Sequence, residues 1–389
     1  MSSPPAGVRR KRPANRRELI VAAAAALFAD SGFENTAMSD VAAAVGVGPS
    51  ALYRHFTGKD ELLRAAIEHT LDQFASTLDG PDVLAAVADF VVGGRSAPLL
   101  WVREARHLPR PQRLDLAARL AQLREAFAVA ADGDNPSFGA RMRARMALAA
   151  LLSPSLHSTT LPADEFRATL VGIAEAVLGV ELEVPAPPSV PAPAGLSRGS
   201  KREQILRAAL RIFADQTYAS TGMEEIGEAV GLSTSSVYNH FTSKLEILEV
   251  ALHRANGYLQ VTLDDTLLAA PDEAAALRAL VGVYAEFTVR HPALVDILVT
   301  EVRSLGAQAE PLVQAQRDYV SEWVRLCRAT RPDLTQERAL VTVQATLMAI
   351  NEIARDSTFA SAAALSGPVS TLAEAALGIV VGRNDADPG

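Results

Sequence analysis

Residues 17–66 can be laid on residues 202–251 without a gap, and about 22 of roughly 50 positions then coincide. The stretch "GPSALYRHFTGKD" at 48–60 meets "STSSVYNHFTSKL" at 233–245. A chain that writes one unit twice must fold it twice, so 389 residues divide into two like halves rather than one large core. A fainter echo follows, in which Phe90, Glu104, Arg106 and Leu108 match Phe287, Glu301, Arg303 and Leu305 at a larger separation. The second copy therefore carries an insertion before that point. Between the copies, "VPAPPSVPAPAGLSRGS" at 184–200 is too rich in proline to sustain a helix and reads as an extended linker.

Inside each copy the apolar spacing is helical. Ile20, Ala23, Ala24, Leu27 and Phe28 recur at steps of three and four, and Ile205, Ala208, Ala209, Ile212 and Phe213 repeat the pattern. A second short helix follows, entered near Thr36 or Thr221 and ended by Gly46 or Gly231, where glycine suits the left-handed turn into a third helix. Two short helices joined this way form a helix-turn-helix. Aromatic residues are only 5% of the chain against 49% hydrophobic, an Ala/Leu/Val balance that points to an all-α fold.

The third helix divides by face. Leu52 and Phe56, or Val237 and Phe241, lie four apart and point inward, leaving Ser50, Tyr53 and Arg54, or Ser235, Tyr238 and Asn239, outward. An outward tyrosine among hydroxyls suits a DNA-reading face, although taken alone it better suits a half-buried packing residue with a wet hydroxyl. Lys59 and Lys244 open the next helix after Thr57 and Thr242, read as its caps; a cation at that end opposes the helix dipole unless a phosphate is to sit there. His55 and His240 close the third helix, as phosphate donors or as dipole-favoured C-terminal histidines.

Charge and cysteine usage bound the rest. The net charge of −8 hides a basic block, "RRKRPANRR" at 9–17, which reads as a solvated tail, a targeting segment or an arm for phosphates. With "LIVAAAAALFA" behind it the block imitates a secretory signal, but the same apolar pattern recurs mid-chain with Arg207 and Arg211 interspersed, where a cleaved signal has no place. No apolar run reaches the roughly 20 residues of a membrane span, and the lone Cys327 excludes an internal disulfide framework and a multi-cysteine metal site. The expectation is a cytoplasmic protein in a reducing compartment, without a membrane, metal or cofactor.

"VAAAVGVGPSALYRHFTGKDELL" and "IGEAVGLSTSSVYNHFTSKLEIL" resemble the helix-turn-helix signature of the TetR (tetracycline-repressor) family. The resemblance covers about 50 residues of each half. It implies a three-helix DNA-binding domain, a larger helical domain with an effector pocket, and dimerisation through a four-helix bundle. Carried over by position, it makes Pro49, Ser50, Tyr53 and Arg54, with Thr234, Ser235, Tyr238 and Asn239, the base-reading residues. Thr36, His55, Lys59, Thr221, His240 and Lys244 match phosphate-contacting positions. Gly48 replaces the family's capping serine, which Ser233 retains, and Thr217 replaces the glycine that Gly32 provides.

The expected organisation is a disordered basic arm at 1–15, helix-turn-helix domains at 16–75 and 201–260, ligand and dimerisation domains at 76–183 and 261–384, and the linker at 184–200. Because the family places one such unit per chain, the economical expectation is an intramolecular pseudo-dimer, which a linker reaching about 50 Å permits; the alternative is a four-headed homodimer. Operator DNA and a small-molecule effector are the expected partners, and repression the expected function. Phe90, Trp101, Arg106, Phe127, Tyr284, Phe287, Arg303, Trp323 and Met348 are the candidate pocket residues, with ordinary core as the competing reading. A regulator indifferent to ligand and a helical hydrolase are the rivals. The second lacks a nucleophile elbow, a zinc motif and a phosphate loop.

Overall fold

The computed structural model describes residues 16–182, 184, 199–356, 358–359 and 365–379, without the side chains of residues 303, 304, 307 and 308. The expected arm and most of the linker lie outside the described residues. Every regular element among the described residues is helical, and the halves run in parallel, helix for helix. The first half comprises α1 (Arg16–Ser31), α2 (Met38–Ala44), α3 (Pro49–Leu52), α4 (Lys59–Ser76), α5 (Val83–Gly93), α6 (Leu99–Val102), α7 (Arg110–Asp132), α8 (Phe138–Leu152) and α9 (Ala163–Leu178). The second comprises α10 (Lys201–Asp215), α11 (Met223–Glu228), α12 (Thr234–Tyr238), α13 (Lys244–Ala269), α14 (Glu273–Arg290), α15 (Pro292–Thr300), α16 (Glu310–Thr330), α17 (Gln336–Arg355) and α18 (Ser366–Leu377).

Residues 16–73 with 96–117 form one compact unit, and residues 74–95 with those from 118 onward form another. In the first, α1 buries Ile20, Val21, Ala24 and Phe28 and packs on α2 and α6. Ala23 and Leu27, expected on the same face, are only partly covered. The segment 96–117 thus joins this unit rather than the body expected at 76–183.

In the second unit, Ile205, Phe213, Ile226, Val237, Phe241 and Leu252 share one core with Ile297 of α15. Truncating a buried phenylalanine such as Phe241 costs about 3–5 kcal/mol, so this side chain, three residues past the end of α12, anchors the short helix to the core. The same unit contains a four-helix bundle in which α8 and α9 of the first half pack on α17 and α18 of the second. Small residues line α8 (Ala144, Ala147, Ala149, Ala150) and α17 (Ala339, Ala345, Ala349), so the backbones approach closely and bury their seam.

Candidate nucleic-acid interface

Each reading helix hangs from one buried pair. Leu52 and Phe56 are fully covered, as are Val237 and Phe241, and this turns the intervening residues outward. Tyr53 is 58% exposed and Tyr238 51%, so neither ring is a packing residue. Pro49, Ser50 and Arg54 are exposed beside the first tyrosine; Ser235 and Asn239 are exposed and Thr234 partly so beside the second. His55 is exposed and His240 partly covered. The turn into each helix needs a left-handed residue, and Gly46 and Gly231 both take φ of 66°.

The two sequence departures have visible consequences. Ser233 caps α12 by accepting from the Ser236 N–H at 3.3 Å, whereas Gly48 offers no side chain to α3. Gly32 takes φ of 85°, and Thr217 at the corresponding corner instead accepts the Ser220 N–H on its hydroxyl at 3.0 Å.

The supporting framework is written twice. Arg17 lies 5.1 Å from the Phe56 ring and Arg202 3.9 Å from the Phe241 ring, so the last arginine of the basic block packs on the head. Glu61 accepts from the Thr57 N–H and hydroxyl at 2.6 and 2.7 Å; Glu246 does the same for Thr242 at 2.6 and 2.9 Å. These bonds, that from the threonine N–H foremost, hold both carboxyls below their ordinary pKa. Thr57 and Thr242 are therefore not the caps expected of them. Ser243 caps α13, accepting the Glu246 N–H, and each threonine stands one residue outside.

Thr36 and Thr221, carried over as phosphate contacts, are both 3% exposed. The Thr36 hydroxyl donates to the Gly32 carbonyl at 2.9 Å and that of Thr221 to the Thr217 carbonyl at 2.7 Å, closing the corner between the first two helices.

The lysines bridge to that same corner. Lys244 Nζ donates to the carbonyls of Tyr218, Ala219 and Thr221 at 2.5, 3.2 and 2.9 Å and sits 4.4 Å from the Tyr218 ring. Burial lowers its pKa, with Glu301 pulling the other way. Lys59 is tied more loosely, to the Glu34 carbonyl at 3.4 Å and over the Phe33 ring at 4.2 Å. The repeated cation at a helix N-terminus thus has a structural reason independent of phosphate.

One buried acid completes each head. Glu104 is 6% exposed and accepts the Phe33 N–H at 2.8 Å; Glu301 is 2% exposed and accepts the Tyr218 N–H at 3.0 Å. Both belong to the echo that pairs Glu104, Arg106 and Leu108 with Glu301, Arg303 and Leu305, and its glutamates do the joining.

The candidate pocket residues do not converge. Tyr284 alone lines an apolar cavity of about 60 Å³, with Leu252, Leu259, Leu298, Leu312 and Tyr319. Trp323 is fully buried in T-shaped contact with Tyr284 at 5.8 Å, and Met348 is 7% exposed. Phe287 lines a separate cleft with Arg207, Arg254 and Tyr258. Phe127 is fully buried, Phe90 packs on Phe74 at 6.0 Å, and Trp101 and Arg106 belong to the other compact unit. The side chain of Arg303 lies outside the described residues. Among the described residues no helix is long and apolar enough to cross a membrane, and no cluster of three metal-ligating side chains occurs.

The same two segments stand out in comparison with known proteins. The family profile of bacterial regulatory proteins of the tetR family matches twice, at residues 20–66 and 205–251. The HTH-type transcriptional activator FasR of Mycolicibacterium smegmatis is 33% identical over 127 residues, which cover 33% of this chain and 56% of FasR. The HTH-type transcriptional regulator LmrA of Bacillus subtilis is 31% identical over 33% of this chain and 69% of its own length. For the HTH-type transcriptional regulator Mb3439c of Mycobacterium bovis the identity is 31%, over 43% of this chain and 93% of that one. Among solved structures, the ketosteroid regulator KstR2 of Mycobacterium tuberculosis aligns with 47% of this chain and 95% of its own at 21% identity and a TM-score of 0.41. The chain belongs to the TetR family and carries two TetR-like units in tandem.

Proposed function

We propose that the protein is a sequence-specific DNA-binding repressor that a small molecule releases, and that one chain, acting as its own dimer, reads an operator with two unlike half-sites. The observation that carries this is the pair of outward faces: the same exposed tyrosine in both heads, with Arg54 beside one and Asn239 beside the other. An arginine can present a fork to guanine O6 and N7, while an asparagine pairs with adenine N6 and N7. In this reading Pro49, Ser50, Tyr53 and Arg54 face one half-site and Thr234, Ser235, Tyr238 and Asn239 the other. His55, Lys59 and His240, with the backbone around Thr36 and Thr221, hold the phosphates, and Lys244, whose three donors are taken by loop carbonyls, attracts them by charge alone. The DNA-binding units are 16–75, against which 96–117 packs, and 201–260; the effector and dimerisation bodies are the remainder of 76–183 and 261–384, and the setting is the cytoplasm.

The packing of α8 and α9 on α17 and α18 within one chain supports the single-chain dimer. The cavity beside Tyr284 supports an uncharged, largely apolar effector, because no carboxylate, lysine, arginine or histidine lines it and burial pushes its two phenols, Tyr284 and Tyr319, above their ordinary pKa, so both stay neutral.

Selection of binding sites from random duplexes tests the reading. The expected motif has unlike halves, and Arg54→Asn and Asn239→Arg each change preference in one half only, by about 1–3 kcal/mol. A selected motif whose halves are identical would sink it.

A further inference from the structure

Ser137 caps α8 and Thr335 caps α17, each hydroxyl accepting the N–H three residues on, from Ala140 at 3.1 Å and Arg338 at 3.2 Å. Counted from these caps the helices correspond position by position, and two identical subunits would place like side chains alike. The charges break that correspondence. Arg145 stands eight residues past Ser137, but eight past Thr335 is Val343, fully buried. Glu352 stands seventeen past Thr335, while seventeen past Ser137 is the buried Pro154.

Arg145 crosses from α8 to hydrogen-bond Asp356 at the end of α17 and lies 3.9 Å from Glu352. Arg124 of α7 meets the same Glu352 at 2.5 Å. On the far side Arg355 is 3.8 Å from Glu352 and holds Asp296 of α15 at 2.7 Å. The side chains of Arg145, Glu352 and Asp356 are only 10%, 10% and 6% exposed. Burial depresses the Arg145 guanidinium, which Arg124 reinforces and the two carboxylates oppose; at Asp356 the pull of Arg145, Thr358 and Arg124 outweighs burial and the carboxyl ends below its usual range. The bridges that cross between the halves run one way, from Arg124 and Arg145 of the first to Glu352 and Asp356 of the second, while Glu125 of the first half, bonded to Arg141 at 2.8 Å, stays at the margin. Elsewhere the buried part of the seam is largely apolar, with Phe138 on Phe359 at 5.2 Å, and the other pair across it, Arg338 with Glu165 at 3.9 Å, is well exposed and adds little selectivity.

We propose that this buried cluster makes the two halves of the chain choose each other: it matches a first half to a second half, and rejects a pairing of two first or two second halves by leaving buried charges without partners. The inference rests on the single-chain dimer proposed above, and it adds what specifies the pairing. Replacing buried ion pairs with apolar side chains of similar size retains stability while removing such selectivity.

The test uses the full chain carrying a protease site with flexible flanks in the segment 185–198, cut after folding, with the pairing of the fragments read by native mass spectrometry after prolonged incubation. The unaltered sequence should give one species, a first half with a second half. The variant Arg124→Met, Arg145→Met, Glu352→Met, Asp356→Leu should fold and drift toward the statistical mixture, in which about half the pairs are like with like. If that folded variant keeps strict unlike pairing, the cluster is not the selector. Like-with-like pairing by the unaltered sequence would instead overturn the single-chain dimer itself.

Discussion

Removing the Glu301 carboxylate should loosen the second head at one identifiable amide. Its oxygen accepts the Tyr218 N–H at 3.0 Å from a side chain only 2% exposed, and Lys244 stands on the same tyrosine. A hydrogen bond to a charged acceptor contributes about 1.5–3 kcal/mol, and a buried N–H left unpaired adds to the loss, so Glu301→Ala should cost about 2–3 kcal/mol. Glu301→Gln keeps an acceptor oxygen and should cost about 1 kcal/mol. Hydrogen exchange of the peptide spanning 216–222 reports this directly, since 2 kcal/mol of local opening is roughly a 30-fold faster exchange. The glutamine variant should fall between, and Glu104→Ala should accelerate the peptide around Phe33 while leaving the one around Tyr218 unchanged. Wild-type exchange at Tyr218 in the alanine variant would refute the assignment of this acid as the tie to the corner.

Three further outcomes follow from the same coordinates. Tyr238→Ala should leave the denaturation midpoint within about 0.5 kcal/mol of wild type, because the ring is 51% exposed, yet weaken DNA binding at one half-site; a large stability loss with unchanged binding would assign the ring to packing. His157, whose carbonyl accepts from Arg95 at 2.7 Å, has its pKa lowered to about 4 by burial and then by Arg95. The unfolded chain therefore takes up that proton first, so its contribution is complete above about pH 6.5 and is lost as pH falls toward 4, to a limit of about 3 kcal/mol; urea midpoints at pH 7 and 4.5 should converge partly in His157→Gln, and an unchanged gap contradicts the assignment. Filling the cavity with Leu298→Trp should keep DNA bound in the presence of a releasing effector, as read by fluorescence anisotropy, whereas normal release would place the effector elsewhere.

The heads were legible because their signals are local. Three- and four-residue apolar steps, a glycine at each left-handed corner and the four-residue spacing of Leu52 to Phe56 determine the short helices and turn the tyrosines outward. What escaped the sequence depends on distant partners. Tyr218 and Glu301 are 83 residues apart, and Arg124 and Glu352 are 228 apart, so no spacing rule joins them. Lys59 and Lys244 invited a phosphate because the helix dipole disfavours a cation there, and the loop carbonyls that receive them were invisible. Most of the aromatic pocket candidates lie away from the cavity for another reason: in an aromatic-poor chain large rings such as Trp323 and Phe127 fill the core, while the cavity is walled mainly by leucines and valines.

The claim that one chain is a complete reader with two different heads meets its most direct test in the mass of the protein–operator complex. Native mass spectrometry or sedimentation of the purified protein on its selected operator should give one 41.2 kDa chain per duplex, with both half-sites protected from cleavage. Two chains bound to a perfect palindrome would contradict it.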